Sequence, residues 1–341
     1  MDWYLELDPA RRRTMCELAG ERLGLYAPSI EKDFWICWTL RELFALERIR
    51  RHLTFKGGTS LSKGWGLIQR FSEDVDVVID RGHLGFGGAR APDAPGLSSK
   101  ERDRRLEELR AATRAWVRDE LGPALEAHCA RSLRHESGWG VAADPADPDG
   151  QTILLHYRSV FGPGSYLRPV VRIELGARSD TEPVREPRIR SFMEEVRPDG
   201  RAPTSFAVRT VAPERTFWEK AMLLHEETFR SGSSGPKDRL ARHYYDLWCL
   251  IRAGVGASAA ADDALFERIA AHRAVFFRKK REAQSTLARG TLRLLPAPTL
   301  IAAWERDYEA MRESMLFGEA PGFTELLAVI EEFEVGFNTV R

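Results

Sequence analysis

The chain has little cysteine and no net charge. Its four cysteines, Cys16, Cys37, Cys129 and Cys249, lie far apart, and none forms a C-x-x-C pair. That spacing argues against a zinc site. Cys37 and Cys249 stand in apolar helical runs, where a buried free thiol is the expected reading. Lysine and arginine total 51, as do aspartate and glutamate, so the formal charge is zero. Whole-chain charge therefore gives no support for nucleic-acid binding, although a local basic surface depends on distribution rather than on the sum. No apolar run approaches a membrane span, and the opening MDWYLELDPARRRTM lacks an apolar signal core. The expectation is a cytoplasmic protein with reduced thiols and no membrane partner. Repeats and low-complexity segments are also absent.

A hydrophobic fraction of 43% in 341 residues is enough for two domains, or for one large domain with appended helices. Asp8 and Pro9 mark the cap and first position of a helix over residues 8 to 24. A second helix is expected from Ser29, with Ile36, Leu40, Leu43 and Phe44 at helical spacing. Its capping box is incomplete, because Lys32 stands where glutamate would be ideal. Phe34, Trp35 and Trp38 widen the apolar surface and read as core rather than as a base-stacking platform. Leu53 to Phe55 is a short strand, Thr59 to Gly66 a short helix and Val75 to Ile79 the next strand. Gly and Pro crowd residues 81 to 99, the mark of a mobile loop. A charged helix with a solvated face runs from Ser98 or Ser99 to about His128. Residues 144 to 150 form a turn. Strands follow at Thr152 to Tyr157, Pro169 to Leu175 and Ser205 to Val211, and from Pro213 the chain reads as helical.

The most informative stretch is Phe55 to Asp80, FKGGTSLSKGWGLIQRFSEDVDVVID. It opens on a Gly-Gly-Thr-Ser turn and closes on Asp74 and Asp76. Residues two apart on a strand point the same way, so both acids share one face while Val75 and Val77 pack on the other. Two adjacent carboxylates are costly unless a cation neutralises them. Oxygen ligands at this spacing suit Mg²⁺, which keeps several waters and also takes substrate phosphates. Gly57 and Gly58 let backbone N–H groups approach a phosphate. Ser60 is placed either to bond a phosphate oxygen or to cap the short helix. Lys56, Lys63 and Arg70 are nearby cations, each read singly as a surface charge rather than a phosphate ligand, with Lys56 the nucleotide-binding candidate among them. Ser72 would share the face of Asp74 if the strand starts that early. Glu174 shares a face with Arg172 and reads from its spacing as an ion-pair partner of Arg172 or Arg178.

Two later groups could join the chemistry. On the helix PERTFWEKAMLLHEETF, Lys220 stands beside the stripe Phe217, Ala221 and Leu224. It either snorkels to solvent or serves as a fixed counter-charge for a leaving pyrophosphate. In RLARHYYDLWCLI, Arg242 and Asp246 lie at helix spacing i and i+4, which offers a plain salt bridge. An acid in such an apolar segment needs a partner, and Lys220 is a natural one. His243 reads as a structural hydrogen-bonder rather than a general base.

Lys-Gly-Gly-Thr-Ser-Leu-Ser-Lys, followed by Arg70, Ser72, Glu73, Asp74, Val75 and Asp76, resembles the AbiEii toxin family, which includes the MenT toxins. That family lies within the DNA polymerase β nucleotidyltransferase superfamily. The blocks EKDFWICWTL, RTFWEKAMLLHEE, RHYYDLWCL and WERDYEAMRESMLFGEAPGFTELL occur in family order. Fifteen residues separate Gly58 from Asp74, somewhat more than the superfamily usually has. The resemblance implies an α+β fold: a polymerase-β-like mixed sheet flanked by helices, then a helical C-terminal domain. The catalytic domain would span 1–212, with N-terminal helices and a loop-helix insertion over 81–135. The C-terminal domain, 213–341, would contribute Lys220 and Asp246 to the cleft. Functional positions carried over from the family fall on Ser72, Asp74, Lys220 and Asp246, with Asp76 from the superfamily. The superfamily often takes a third metal carboxylate from a later strand, and so implies Glu174 as equally a metal ligand or an ion-pair partner. The implied protein is a Mg²⁺-dependent nucleotidyltransferase toxin (EC 2.7.7.-) of a type IV toxin–antitoxin system linked to phage defence. It would use an NTP to modify an RNA acceptor, the tRNA 3′ end, and so block translation. A winged-helix antitoxin encoded nearby would be its partner.

Rival readings are small-molecule transfer of the antibiotic-modifying type, which neutral charge favours, protein nucleotidylation, and a non-catalytic NTP-binding interaction protein.

Overall fold

The computed structural model describes residues 1–162, 167–197, 200–229, 238–277, 281–318 and 320–339. Glu319, within the family-like tail, lies outside them. The chain divides into two compact units, one of residues 1–64 and 72–210 and the other of residues 65–71 and 211–341. Among the described residues no helix is long and apolar enough to cross a membrane.

The first unit begins with helices α1 (Asp2–Leu5), α2 (Pro9–Leu23) and α3 (Ala27–Phe44). Asp8 caps α2 by accepting from Arg11 N at 3.0 Å, and Gly24 ends it in the left-handed region. Helix α3 starts before the expected Ser29, with Tyr26 at its N-cap and Pro28 in its first turn. Proline replaces the side-chain cap there, because its fixed φ suits the first turn and it has no N–H to satisfy.

Helix α3 is buried along almost its whole length, which accounts for its breadth of apolar residues. Trp35 stacks on Tyr157 at 4.9 Å and meets Trp38 edge-on, so these rings are core. Three consecutive charges are buried with them, and each holds a different segment. Glu31 accepts from Ser159 Oγ at 2.6 Å and Val160 N at 2.9 Å. Lys32 donates to the carbonyls of Arg168 and Val170. Asp33 pairs with Lys63 at 2.6 Å and accepts from Phe192 N at 2.7 Å. Lys63 is thus largely covered, its side chain only 9% exposed, rather than at the surface as expected, and its ammonium also lies over the Phe192 ring.

The strands are β1 (Leu53–Lys56), β2 (Asp74–Ile79), β3 (Gly140–Ala143), β4 (Thr152–His156), β5 (Val170–Gly176), β6 (Val184–Arg185), β7 (Arg188–Ile189), β8 (Phe206–Ala207) and β9 (Thr210–Val211). Among the described residues seven of them form one mixed sheet in the order β3-β4-β5-β2-β1-β9-β6, and β7 and β8 form a separate hairpin. The expected strand from Ser205 to Val211 is therefore two short strands in different sheets. Strands β3, β6 and β7 were not foreseen, being too short to carry a period-two signal. Between β2 and β3 lie helices α5 (Ser99–Trp116) and α6 (Gly122–Ser132), joined by a π-turn over Val117–Leu121. Ser98 caps α5, and Glu101, Arg104, Arg105 and Glu108 pair along its solvated face. Arg105 also bonds the carbonyls of Ala89 and Ala91, tying the glycine- and proline-rich loop to that helix.

The second unit is helical: α7 (Pro213–Thr228), α8 (Arg242–Arg252), α9 (Val255–Ala260), α10 (Asp263–Phe276), α11 (Arg281–Ser285), α12 (Ile301–Met315) and α13 (Phe323–Thr339). Phe217 and Trp218 of α7 meet edge-on, and Trp218 packs against Phe266 at 4.8 Å and Phe337 at 4.9 Å. Residues 65–71 belong to this unit, where Phe71 N bonds Met315 O at 2.7 Å and Phe317 N bonds Gln69 O at 3.1 Å. That excursion accounts for the long spacing between the glycine turn and the acid strand.

Candidate functional site

In the first unit, β1 leads into a helical turn, α4 (Gly57–Thr59), which continues as a π-turn over Ser60–Gly64. The turn thus begins at the glycines rather than at Thr59. Gly57 has a φ of +82°, and a Cβ there would lie 1.9 Å from Asp76 Oδ2 and 3.0 Å from Asp76 Cβ. Its primary role is to let the turn lie directly against Asp76. Rotating the carboxylate would relieve the oxygen contact but not the one to Cβ. Gly57→Ala is therefore expected to cost about 1–3 kcal/mol through strain at positive φ and to displace Asp76. Thermal unfolding would check the first effect and divalent-cation affinity the second.

The turn is fixed from within. Thr59 Oγ1 donates to Asp74 O, and Ser60 Oγ donates to Gly57 O at 2.8 Å. Ser60 is fully buried and stands at the C-cap of α4 rather than at its N-cap, and Gly58 stands partly exposed in the turn. Lys56 lies opposite Asp76 in the β1–β2 register and donates to Ser179 Oγ at 3.3 Å. Strand β2 starts at Asp74, so Ser72 precedes the strand and the sharing of a strand face does not extend to it.

Strand β5 runs parallel to β2 with Asp74 opposite Arg172 and Asp76 opposite Glu174. These four residues share one sheet face, while Val75, Val77, Ile173 and Leu175 are buried on the other. Arg172 reaches three carboxylates: Asp144 at 3.0 Å, Glu174 at 3.3 Å and Asp74 at 3.7 Å. Partial burial, then the charges of Asp76 and Asp74, raise the pKa of Glu174 above its ordinary value, while Arg172 pulls the other way. Glu174 is therefore aligned with the acid pair and forms the expected ion pair with Arg172. Among the described residues no group of three or more His, Cys, Asp or Glu is drawn together into a metal cage. Mg²⁺ is typically held by one or two carboxylates with water and phosphate completing the shell, so a pair of acids on one face does not need such a cage to meet it.

The second unit carries its own charged cluster. Asp246 on α8 is completely buried and takes a two-pronged contact from Arg70, Nε at 2.6 Å and Nη2 at 2.8 Å. Lys220 Nζ on α7 approaches its Oδ2 at 2.8 Å. Asp246 thus pairs with Arg70 and Lys220 rather than with Arg242. Burial opposes the charge on Asp246, but Arg70 and Lys220 outweigh it and hold the carboxyl well below its usual range. Burial lowers the pKa of Lys220 against the pull of Asp246. Lys220 is only 8% exposed, so the snorkelling reading does not hold. His243 Nδ1 stands 3.5 Å from Lys220 Nζ, and burial followed by that ammonium keeps the imidazole neutral, far below its ordinary pKa. Arg70 was expected at the surface. The only sequence signal of its burial is the extended spacing that carries residues 65–71 into this unit.

All four cysteines are free, and burial pushes the Cys16, Cys129 and Cys249 thiols up to about 12. None is poised as a thiolate nucleophile.

A mixed sheet flanked by helices, a glycine turn packed against paired acids, and a helical C-terminal region are the coarse layout of a nucleotidyltransferase. A family model described as the nucleotidyl transferase AbiEii toxin of type IV toxin–antitoxin systems matches residues 38–334. The chain belongs to this family of nucleotidyltransferase toxins. No curated protein matches it.

Proposed function

We propose that this protein is a Mg²⁺-dependent transferase that moves a nucleoside monophosphate from an NTP to an RNA 3′-hydroxyl, that of tRNA, and so blocks translation. The MenT-like reading and the place in the polymerase β superfamily belong to the same proposal, as does neutralisation by a winged-helix antitoxin. The observation that carries the transfer chemistry is the alignment of Asp74, Asp76 and Glu174 on one sheet face with Gly57 packed against Asp76.

Asp74 and Asp76 would hold the metal; Glu174 is the candidate third carboxylate, aligned with Asp76 in the register but not drawn together with the pair into a three-acid cage. A bound Mg²⁺ would supply Lewis-acid stabilisation of charge on the α-phosphate and its leaving group. Gly57 and Gly58 offer backbone N–H groups to the triphosphate, and Lys56 adds positive charge beside Asp76. Ser60 contributes by fixing the turn, because its hydroxyl is already committed to Gly57 O. Ser72, just ahead of the acid strand, is carried by the family resemblance. For Lys220, the role of offsetting charge on the leaving pyrophosphate is carried by the family resemblance. Asp246 orients Lys220, a role supported by their 2.8 Å contact.

The test is incubation of purified protein with Mg²⁺, each α-³²P-labelled NTP in turn, and either total tRNA or aminoglycosides. Label on tRNA with one nucleotide is the expected result. Label on the small molecule alone would replace the acceptor, a reading that the balance of 51 basic and 51 acidic residues favours. NTP binding without transfer to either acceptor would overturn the proposal.

A further inference from the structure

We infer that Arg172, anchored on Asp144, is a built-in counter-ion of the acid pair that competes with the divalent cation for Asp74 and Glu174. The inference rests on the metal-binding reading of those carboxylates.

The β2–β5 register makes a two-by-two array, with Asp74 and Asp76 on one strand and Arg172 and Glu174 on the other. Three corners are acidic and the fourth is an arginine. Such an array without metal would face strong mutual repulsion, and a guanidinium at its corner relieves it. Arg172 Nη1 lies 3.0 Å from Asp144 Oδ2, while its contacts to Glu174 and Asp74 are longer, at 3.3 and 3.7 Å. Asp144 is itself fixed: it is buried, and its other oxygen accepts from Ala146 N at 2.9 Å. Arg172 is thus held firmly at one side and leans over the acids at the other. It can give up Asp74 and Glu174 to an incoming cation while keeping Asp144. A guanidinium cannot lose its charge to make room, so it remains a competitor at any working pH. The arrangement lets the carboxylates stay in place before metal arrives and sets a threshold for metal uptake.

This predicts opposite signs for two substitutions. Arg172→Gln removes the competitor and is expected to tighten Mn²⁺ binding by roughly tenfold, the order of one partly screened charge a few ångströms away. Asp144→Asn releases Arg172 to settle on Asp74 and Glu174, and is expected to weaken Mn²⁺ binding by roughly threefold or more. The double substitution should behave like Arg172→Gln, because the anchor matters only while the arginine is present. The measurement is the EPR signal of free Mn²⁺ during titration of the full chain, without NTP or acceptor, with Asp76→Asn as the control for the site. Circular dichroism confirms that each variant is folded. Wild-type binding that Asp76→Asn loses, with unchanged or weaker binding in Arg172→Gln, would overturn the role of Arg172 and leave the metal site standing. Failure of the wild type to bind Mn²⁺ at all would overturn both.

Discussion

Replacing Asp246 by alanine is expected to cost about 3–5 kcal/mol of stability, the usual penalty for leaving a buried charge without its partner. The substitution would strand two cations, since Arg70 is only 3% exposed and Lys220 only 8%. Arg70→Ala should cost less, because Asp246 would keep Lys220 at 2.8 Å. Asp246→Asn should fall between wild type and alanine: the amide keeps the shape and one acceptor oxygen, but it brings no charge to two cations. Urea unfolding of the three variants tests this order, and equal losses would refute it. The pH dependence has a definite sign. The folded-state pKa of Asp246 is depressed below its ordinary 3.8. Its stabilisation is therefore fully present above that ordinary value and is lost as pH falls through it toward the folded value. Asp246→Ala should flatten the acid limb of the stability curve below about pH 4.

The largest effect on activity is expected from the acid pair. Asp74→Ala and Asp76→Ala should each lower transfer on the order of a thousandfold, since each would remove a ligand on which charge stabilisation in the transition state depends. Their effects on folding should differ from those at Asp246. The Asp74 side chain is 37% exposed, and its contact with Arg172 is long, at 3.7 Å. Losing it should cost under about 1 kcal/mol, as for an exposed pair. Asp76→Ala shortens a side chain that lies against the Gly57 turn, so it creates no overlap. Transfer of α-³²P-labelled nucleotide and thermal unfolding, measured on the same preparations, separate the two consequences. Full transfer by a folded Asp74→Ala protein would remove that residue from the mechanism. Loss of transfer together with loss of fold would assign it a structural role instead.

Much of the local order was legible because it depends on near neighbours. Asp8 and Pro9 predicted the start of α2, and Val75, Val77 and Val78 identified the acid strand by period and β-branching. The short pieces were not legible. Strands of two residues such as Val184–Arg185 carry no periodic signal, and this one forms only at the edge of a sheet that the other strands build. The start of α3 was misplaced because Pro28 set the first turn without the side-chain cap that a sequence rule looks for.

The sequence by itself determined that Asp74 and Asp76 share a face, that a glycine turn precedes them, and that Lys220 and Asp246 stand on apolar helices. Each of these follows from strand or helix periodicity within a few residues. Only the tertiary structure decided which charges meet. The β2–β5 register set Glu174 opposite Asp76 and Arg172 opposite Asp74. The excursion of residues 65–71 brought Arg70 to Asp246, 176 positions along the chain. Packing of α3 placed Glu31, Lys32 and Asp33 inside the protein, each with a partner far along the sequence. A buried charge must find an opposite charge or a hydrogen bond. Composition states that need, but the partner that meets it is fixed by which distant elements pack together.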